Sequence, residues 1–120
     1  MAGTALGLIE AVGLATAAAA LDMALDTADV EFVGYEKVIG AGKSISVTIQ
    51  LVGEVAAVEA AVASGREAGE RIGTVLSTHV IPRPHEEVQK LVDSFKLKKA
   101  QTKAQKPAKK PTEEPQKESK

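Results

Sequence analysis

Gly40-Ala41-Gly42-Lys43-Ser44 is the stretch whose residue types come closest to known chemistry. A Gly-Lys-Ser run closes the phosphate-binding loops of nucleotide hydrolases, where glycine amides and a lysine ammonium hold the phosphates. Such a loop has a glycine five positions before its last one, and this chain has Lys37 there. It also needs a helix directly after the serine, so that helical N–H groups and the dipole face the phosphate. The residues that follow, SISVTIQL, read instead as a strand. Glu10 and Glu36, near strand ends, have the side chains for acid–base work. No paired base, nucleophile or metal constellation accompanies them, so they read as salt-bridged or solvated carboxylates. His79 lies in a predicted strand with no second ligand at useful spacing and reads as structural. His85, after two prolines, reads as a surface or edge contact. The chain has no cysteine, which excludes disulfides, thiolate metal sites and thiol catalysis. No cofactor and no metal are expected.

The elements that must carry these residues centre on a β-hairpin over Val30–Leu51. Both arms are rich in Val, Ile, Phe, Tyr and Thr, which suit a pleated, half-buried surface. In the second arm Ile45, Val47, Ile49 and Leu51 alternate with Ser46, Thr48 and Gln50, the pattern of a strand packed on one side. Upstream, Thr4–Val12 reads as a strand with Leu6, Leu8 and Ile9 inward, and Gly13 breaks it. Leu14–Ala28 reads as a helix whose apolar stripe is Leu14, Ala18, Leu21, Leu25 and Ala28. Downstream, Glu54–Glu70 reads as a second helix burying Val55, Val58, Val62 and Gly65 or Gly69. Thr74–Ile81 reads as a last strand, stopped by Pro82 and Pro84, and Glu86–Val92 as a short helix. The order is β-α-β-β-α-β. It predicts an α+β, ferredoxin-like sandwich with helices on one face of a four-stranded antiparallel sheet. The other face is left free, and apolar content there implies a partner or a ligand.

The chain has 120 residues, enough for one domain, with 44% hydrophobic but 2% aromatic residues, so the core must be built from aliphatic side chains and alanine. Its net charge of −1 hides two halves. Residues 1–93, the predicted folded domain, carry six basic and thirteen acidic residues, a net of −7. Residues 94–120 carry nine lysines against three glutamates, a net of +6, with prolines at 107, 111 and 115. Such a tail cannot bury enough apolar area to offset its ordering entropy and is expected to be disordered. No apolar run is long enough to predict a membrane span, and the absence of a basic residue before the first apolar run argues against a secretory signal.

Three segments in matching order, Leu6-Gly7-Leu8-Ile9-Glu10, Val33-Gly34-Tyr35-Glu36-Lys37 and His79-Val80-Ile81-Pro82-Arg83-Pro84-His85, resemble the bacterial microcompartment shell proteins. The nearest kind is the single-domain, hexamer-forming one of propanediol, ethanolamine and carboxysome shells. The resemblance covers residues 5–92 and omits the tail. It implies a non-enzymatic protein whose homohexamers tile with other shell proteins around enclosed enzymes, in a microcompartment of the cytoplasm. It places the hairpin loop, Gly40, Ala41 and Gly42 with Lys43 and Ser44 beside it, around a sixfold pore for small metabolites. Six Lys43 ammoniums at that mouth would favour anions. It places Arg83, Pro84 and His85 at the edge between hexamers. Asp26 falls where similar proteins usually carry an edge lysine, so the charge is reversed there. Either it pairs with Arg83 or Arg66 of a neighbour or it weakens tiling. The interval from Tyr35 to Gly53 is about four residues longer than usual, so the hairpin should protrude further. The basic tail reads as a solubilising extension, as a recruiter of acidic enclosed enzymes, or, without arginine or aromatic residues for stacking, least well as a nucleic-acid binder. The competing reading is a ferredoxin-like regulatory module of the ACT or PII sort, holding a small ligand between subunits.

Overall fold

The computed structural model describes residues 4–40 and 44–94. Six elements follow in order: β1 (Ala5–Val12), α1 (Leu14–Thr27), β2 (Glu31–Ile39), β3 (Ile45–Gly53), α2 (Val55–Ile72) and β4 (Val75–Ile81). A further helix, α3, runs over residues 86–94. The sheet order is β2-β3-β1-β4, with every neighbouring pair antiparallel. This is the predicted ferredoxin-like plan, α+β. The tail expected to be disordered lies, from residue 95 on, outside the described residues.

α1 and α2 lie side by side on one face, α2 over β1 and β4 and α1 over β1 and β3. Their approach is set by glycine. A Cβ on Gly65 would stand 2.8 Å from the carbonyl oxygen of Ala20 and 2.9 Å from Cδ1 of Ile9. The facing surface of α1 is correspondingly small: Thr16, Ala17, Ala20 and Ala24 are buried. That overturns most of the stripe expected from leucine spacing: Leu21 and Ala28 do pack, partly buried, against the core, but Leu14, Ala18 and Leu25 do not. Leu14 is 69% exposed and Leu25 is also exposed, because leucines would hold α1 away from the glycines of α2.

The strand phase of β1 is corrected in the same way. Ala5, Gly7, Ile9 and Ala11 face the helices, where Gly7 lets Val58 and Val62 come close. Leu6 and Leu8 point to the opposite face. That face is not left free. α3 covers part of it, packing Val88 and Val92 on Leu6, Val33 and Val52, with Leu8 and Ile81 beside them. The register shift between Phe32 and Gly34 accompanies Val33 turning onto this side. On the same face Gln50 is buried, and its carboxamide oxygen has no hydrogen-bond partner among the described residues. Gly13, at φ 86°, makes the turn from β1 into α1, a backbone region that disfavours any side chain.

Candidate functional site

The topology sends the sequence-predicted site residues to two opposite ends of the sheet. β2 and β3 pair out to Ile39 opposite Ile45, and the Gly40 N–H donates to the Ser44 carbonyl at 2.7 Å. The hairpin therefore projects as a two-stranded arm with Gly40 and Ser44 at its tip. Ala41, Gly42 and Lys43 lie outside the described residues. The arm is apolar where it is barest: Ile39 is 71% exposed, and Tyr35, Val38 and Ile45 are exposed too.

The other end holds Asp26, Arg83, Pro84 and His85. α1 starts beside the hairpin end of β1 and runs back, so its last turn lies level with Ala5, which pairs with Gly53. A Cβ on Gly53 would meet the Asp29 carbonyl at 3.3 Å, which fixes the end of α1 there. β4 ends beside it, with Ile81 opposite Leu6. Asp26, Arg83 and His85 are exposed. His85 also has a local task that the sequence did not disclose: its Nδ1 accepts the Glu87 N–H at 3.1 Å, and its carbonyl accepts the Gln89 N–H at 2.9 Å. The imidazole thus caps α3, satisfying a backbone donor that a helix start leaves open.

The candidate catalytic carboxylates do not meet. Glu10 and Glu36 share one row across the sheet, with Thr48 between them. Glu10 accepts a hydrogen bond from the Ser77 hydroxyl at 3.2 Å. His79 stands one row away, opposite Leu8. No group of three His, Cys, Asp or Glu among the described residues could hold a metal ion. Arg66 pairs with Glu70 at 3.2 Å and Arg71 with Glu67 at 3.9 Å, both exposed pairs one turn apart on α2. Such pairs are worth a few tenths of a kcal/mol each, at about 0.3–0.5.

Sequence reasoning missed one feature altogether. Beside α1, over the outer half of the sheet, runs an open groove of about 250 Å³. Leu14, Ala18, Leu21, Phe32, Tyr35 and Ile49 are among its walls, and polar surface is nearly absent. The signal was available in the surplus of apolar residues on α1, which has more than one helix face can bury.

The described residues form an α+β unit with a projecting hairpin, a charged far end and bare apolar flanks, and among them no polar side chains converge on one point. The comparisons with known proteins agree. Residues 5–84 match the model of the BMC domain. The chain is 46% identical over 88 residues to the bacterial microcompartment shell protein PduA of Citrobacter freundii, covering 73% of this chain and 90% of that one. It is 45% identical over 87 residues to the carboxysome shell protein CcmK2 of a Synechocystis strain, covering 71% and 81%. A solved structure of a microcompartment protein from Desulfitobacterium hafniense superposes with a TM-score of 0.62 at 25% identity; the match covers 78% of this chain and 48%, about half, of that one. The chain belongs to the BMC-domain family and is a structural shell protein of a bacterial microcompartment. The regulatory-module reading is not favoured.

Proposed function

We propose that six copies of this chain close into a flat ring that tiles, with other shell proteins, into the wall of a microcompartment. The hairpins point to the ring's axis and the Asp26–Arg83 end lies on its perimeter. One observation carries this reading: the sheet holds the glycine-tipped hairpin and the charged edge set at opposite ends of every strand. A radial subunit needs that arrangement, with its centre and its rim built from different residues. Tiling and passage are its work, and no catalytic step is assigned to any of its side chains.

The tips of six hairpins, Gly40, Ala41, Gly42, Lys43 and Ser44, line the pore. The extra length adds about two residues to each arm, roughly 7 Å of reach. Six lysines at the mouth make a positive ring that admits small anions and opposes cations. In planar-bilayer conductance of the assembled ring, Lys43→Glu is expected to reverse the preference from anions to cations. Unchanged anion preference would remove Lys43 from the pore. The lysine tail, residues 94–120, is assigned to holding acidic enclosed enzymes, so added salt should weaken tail-dependent association steeply.

The ring itself is tested by the mass of the purified full chain in solution, followed by negative-stain microscopy of the same sample. Six copies in flat particles are expected. A monomer, dimer or trimer would undo the ring and move the small-ligand module ahead, despite a groove with almost no polar surface to hold a ligand.

A further inference from the structure

We propose that the first lysines after α3, Lys96, Lys98 and Lys99, dock back onto the chain's own sheet, on an acidic strip that α3 leaves uncovered, and so hold the rest of the tail on that face. The docking needs no ring. Only its consequence for enclosed enzymes rests on the reading of the tail as their recruiter.

The register puts Glu10, Thr48 and Glu36 side by side on the face opposite α1 and α2. Ser77 and His79 continue that face on β4. The four strands contain one basic residue, Lys37, and it pairs with Val47, which is buried on the helix side. No strand cation therefore offsets the two carboxylates. Glu10 accepts one hydrogen bond, from the Ser77 hydroxyl, and a carboxylate has room for more. Exposed acids alone would call for nothing but water. Gln50 calls for more. It stands on the same face, one row nearer to α3, and is 6% exposed, with an unpartnered carboxamide oxygen. Its neighbours across the strands are Leu8 and Gly34, and neither has a side chain that can donate. An acceptor shut away from water without a partner is costly. Gly34, having no side chain, leaves room for a donor to enter beside Glu36.

α3 delivers the tail to this place. It starts just past β4 and packs on Ile81, Leu6, Val52 and Val33, one residue from each strand. A helix rises about 1.5 Å per residue, so residues 86–94 span roughly 13 Å. Strands lie about 4.8 Å apart, so crossing from β4 to β2 takes roughly 14 Å. α3 thus ends over β2, near Gly34 and Glu36, and Lys96 comes two residues later. From Glu36 to Glu10 is two strand spacings, roughly 10 Å. The step from Lys96 to Lys99, extended, covers about the same distance. Lys96 is assigned to Glu36 and Gln50, where an ammonium has three protons to donate, and Lys99 to Glu10. Held in this way, the lysines from Lys103 onward leave the shell from the α3 face, and that is the face turned to acidic enclosed enzymes.

Trypsin reads the docking directly, because cleavage of a segment that opens and closes quickly tracks its open population. In the intact full chain, cuts after Lys96, Lys98 and Lys99 are expected to be about tenfold slower than the cut after Lys103. Glu10→Gln with Glu36→Gln should remove the delay, and so should high salt. Equal cutting at Lys99 and Lys103 in the parent would overturn the proposal. Nearness to α3 could also slow the protease, but that delay would survive the two substitutions, and its survival would overturn the proposal too. A second measurement asks whose tail is held. The chain has no cysteine, so Thr48→Cys and Leu97→Cys, which spare the carboxylates and the lysines, are joined with a short thiol–thiol cross-linker. A single chain carrying one closed linker is expected in intact mass. Covalent dimers would give the strip to a neighbour's tail and overturn docking on the same chain. The delay and the closed linker are expected at any copy number, so a failure of the ring and a failure of the docking are told apart by the particle mass of the same sample.

Discussion

Gly65→Val is expected to cost the folded chain about 3 kcal/mol, the upper range for overpacking a close-packed site. The first added carbon already stands 2.8 Å from the Ala20 carbonyl oxygen and 2.9 Å from Ile9 Cδ1. Neither can give way cheaply. The carbonyl belongs to the backbone of α1, and Ile9 is fully buried between the sheet and the helices. The only relief is to push α1 off α2, which opens the alanine seam at Ala17, Ala20 and Ala24. Valine's better helix propensity than glycine returns a few tenths of a kcal/mol, at about 0.4. In a thermal melt of the full chain at fixed concentration, the midpoint should fall by roughly 12–24 °C, at about 4–8 °C per kcal/mol. Gly13→Ala is the comparison. It meets nothing within 4 Å but sits at φ 86° and ψ 151°, so it incurs backbone strain alone, of order ~1–3 kcal/mol. A Gly65→Val melt within a few degrees of the parent would mean that the helices do not pack through this glycine.

The same glycines explain what the sequence disclosed and what it hid. The hairpin was legible because its second arm alternates, and Val47, Ile49 and Leu51 are indeed buried; the one-sided packing was not, since Ile45 is exposed and Gln50 and Val52 are buried on the other face. The second helix was legible because Val58 and Val62 give it a phase. α1 has no such contrast. Leucine and alanine surround it, and spacing alone favours the larger side chains, yet the buried face is the small one. The deciding information lay far along the chain, in Gly65 and Gly69, which demand a partner without bulk. β1 failed for a related reason: Leu6 and Leu8 on one side and Ile9 on the other leave alternation without a sign, until α3 is placed over the leucines. The candidate site residues stood out as motifs, but the distance between their two groups did not. That follows only once α1 is seen to return along β1, carrying Asp26 to the end where β4 delivers Arg83.

Asp26→Lys is expected to raise both the melting midpoint and the ability of rings to form sheets. The local part is independent of any ring. α1 carries no basic residue in its last turn, where the helix dipole favours a cation. Asp26 also stands one turn from Asp22, a like-charge pair. Lysine at this position turns repulsion into an i,i+4 attraction and places a cation at the negative end. Together these are worth about 1 kcal/mol, or roughly 4–8 °C. The assembly part follows from the far end as a whole. Asp26, Asp29, Glu86 and Glu87 there outnumber Arg83, so two identical rims repel across a twofold contact. Salt should relieve that repulsion, since exposed charges are screened beyond about 8–10 Å. The parent protein is therefore expected to give discrete rings at low ionic strength and sheets as salt rises. Asp26→Lys should give sheets at low salt without help. Negative-stain images at matched concentrations decide it. If the variant melts higher but forms no more sheet than the parent, Asp26 is a helix-end residue and not the residue that limits the rim.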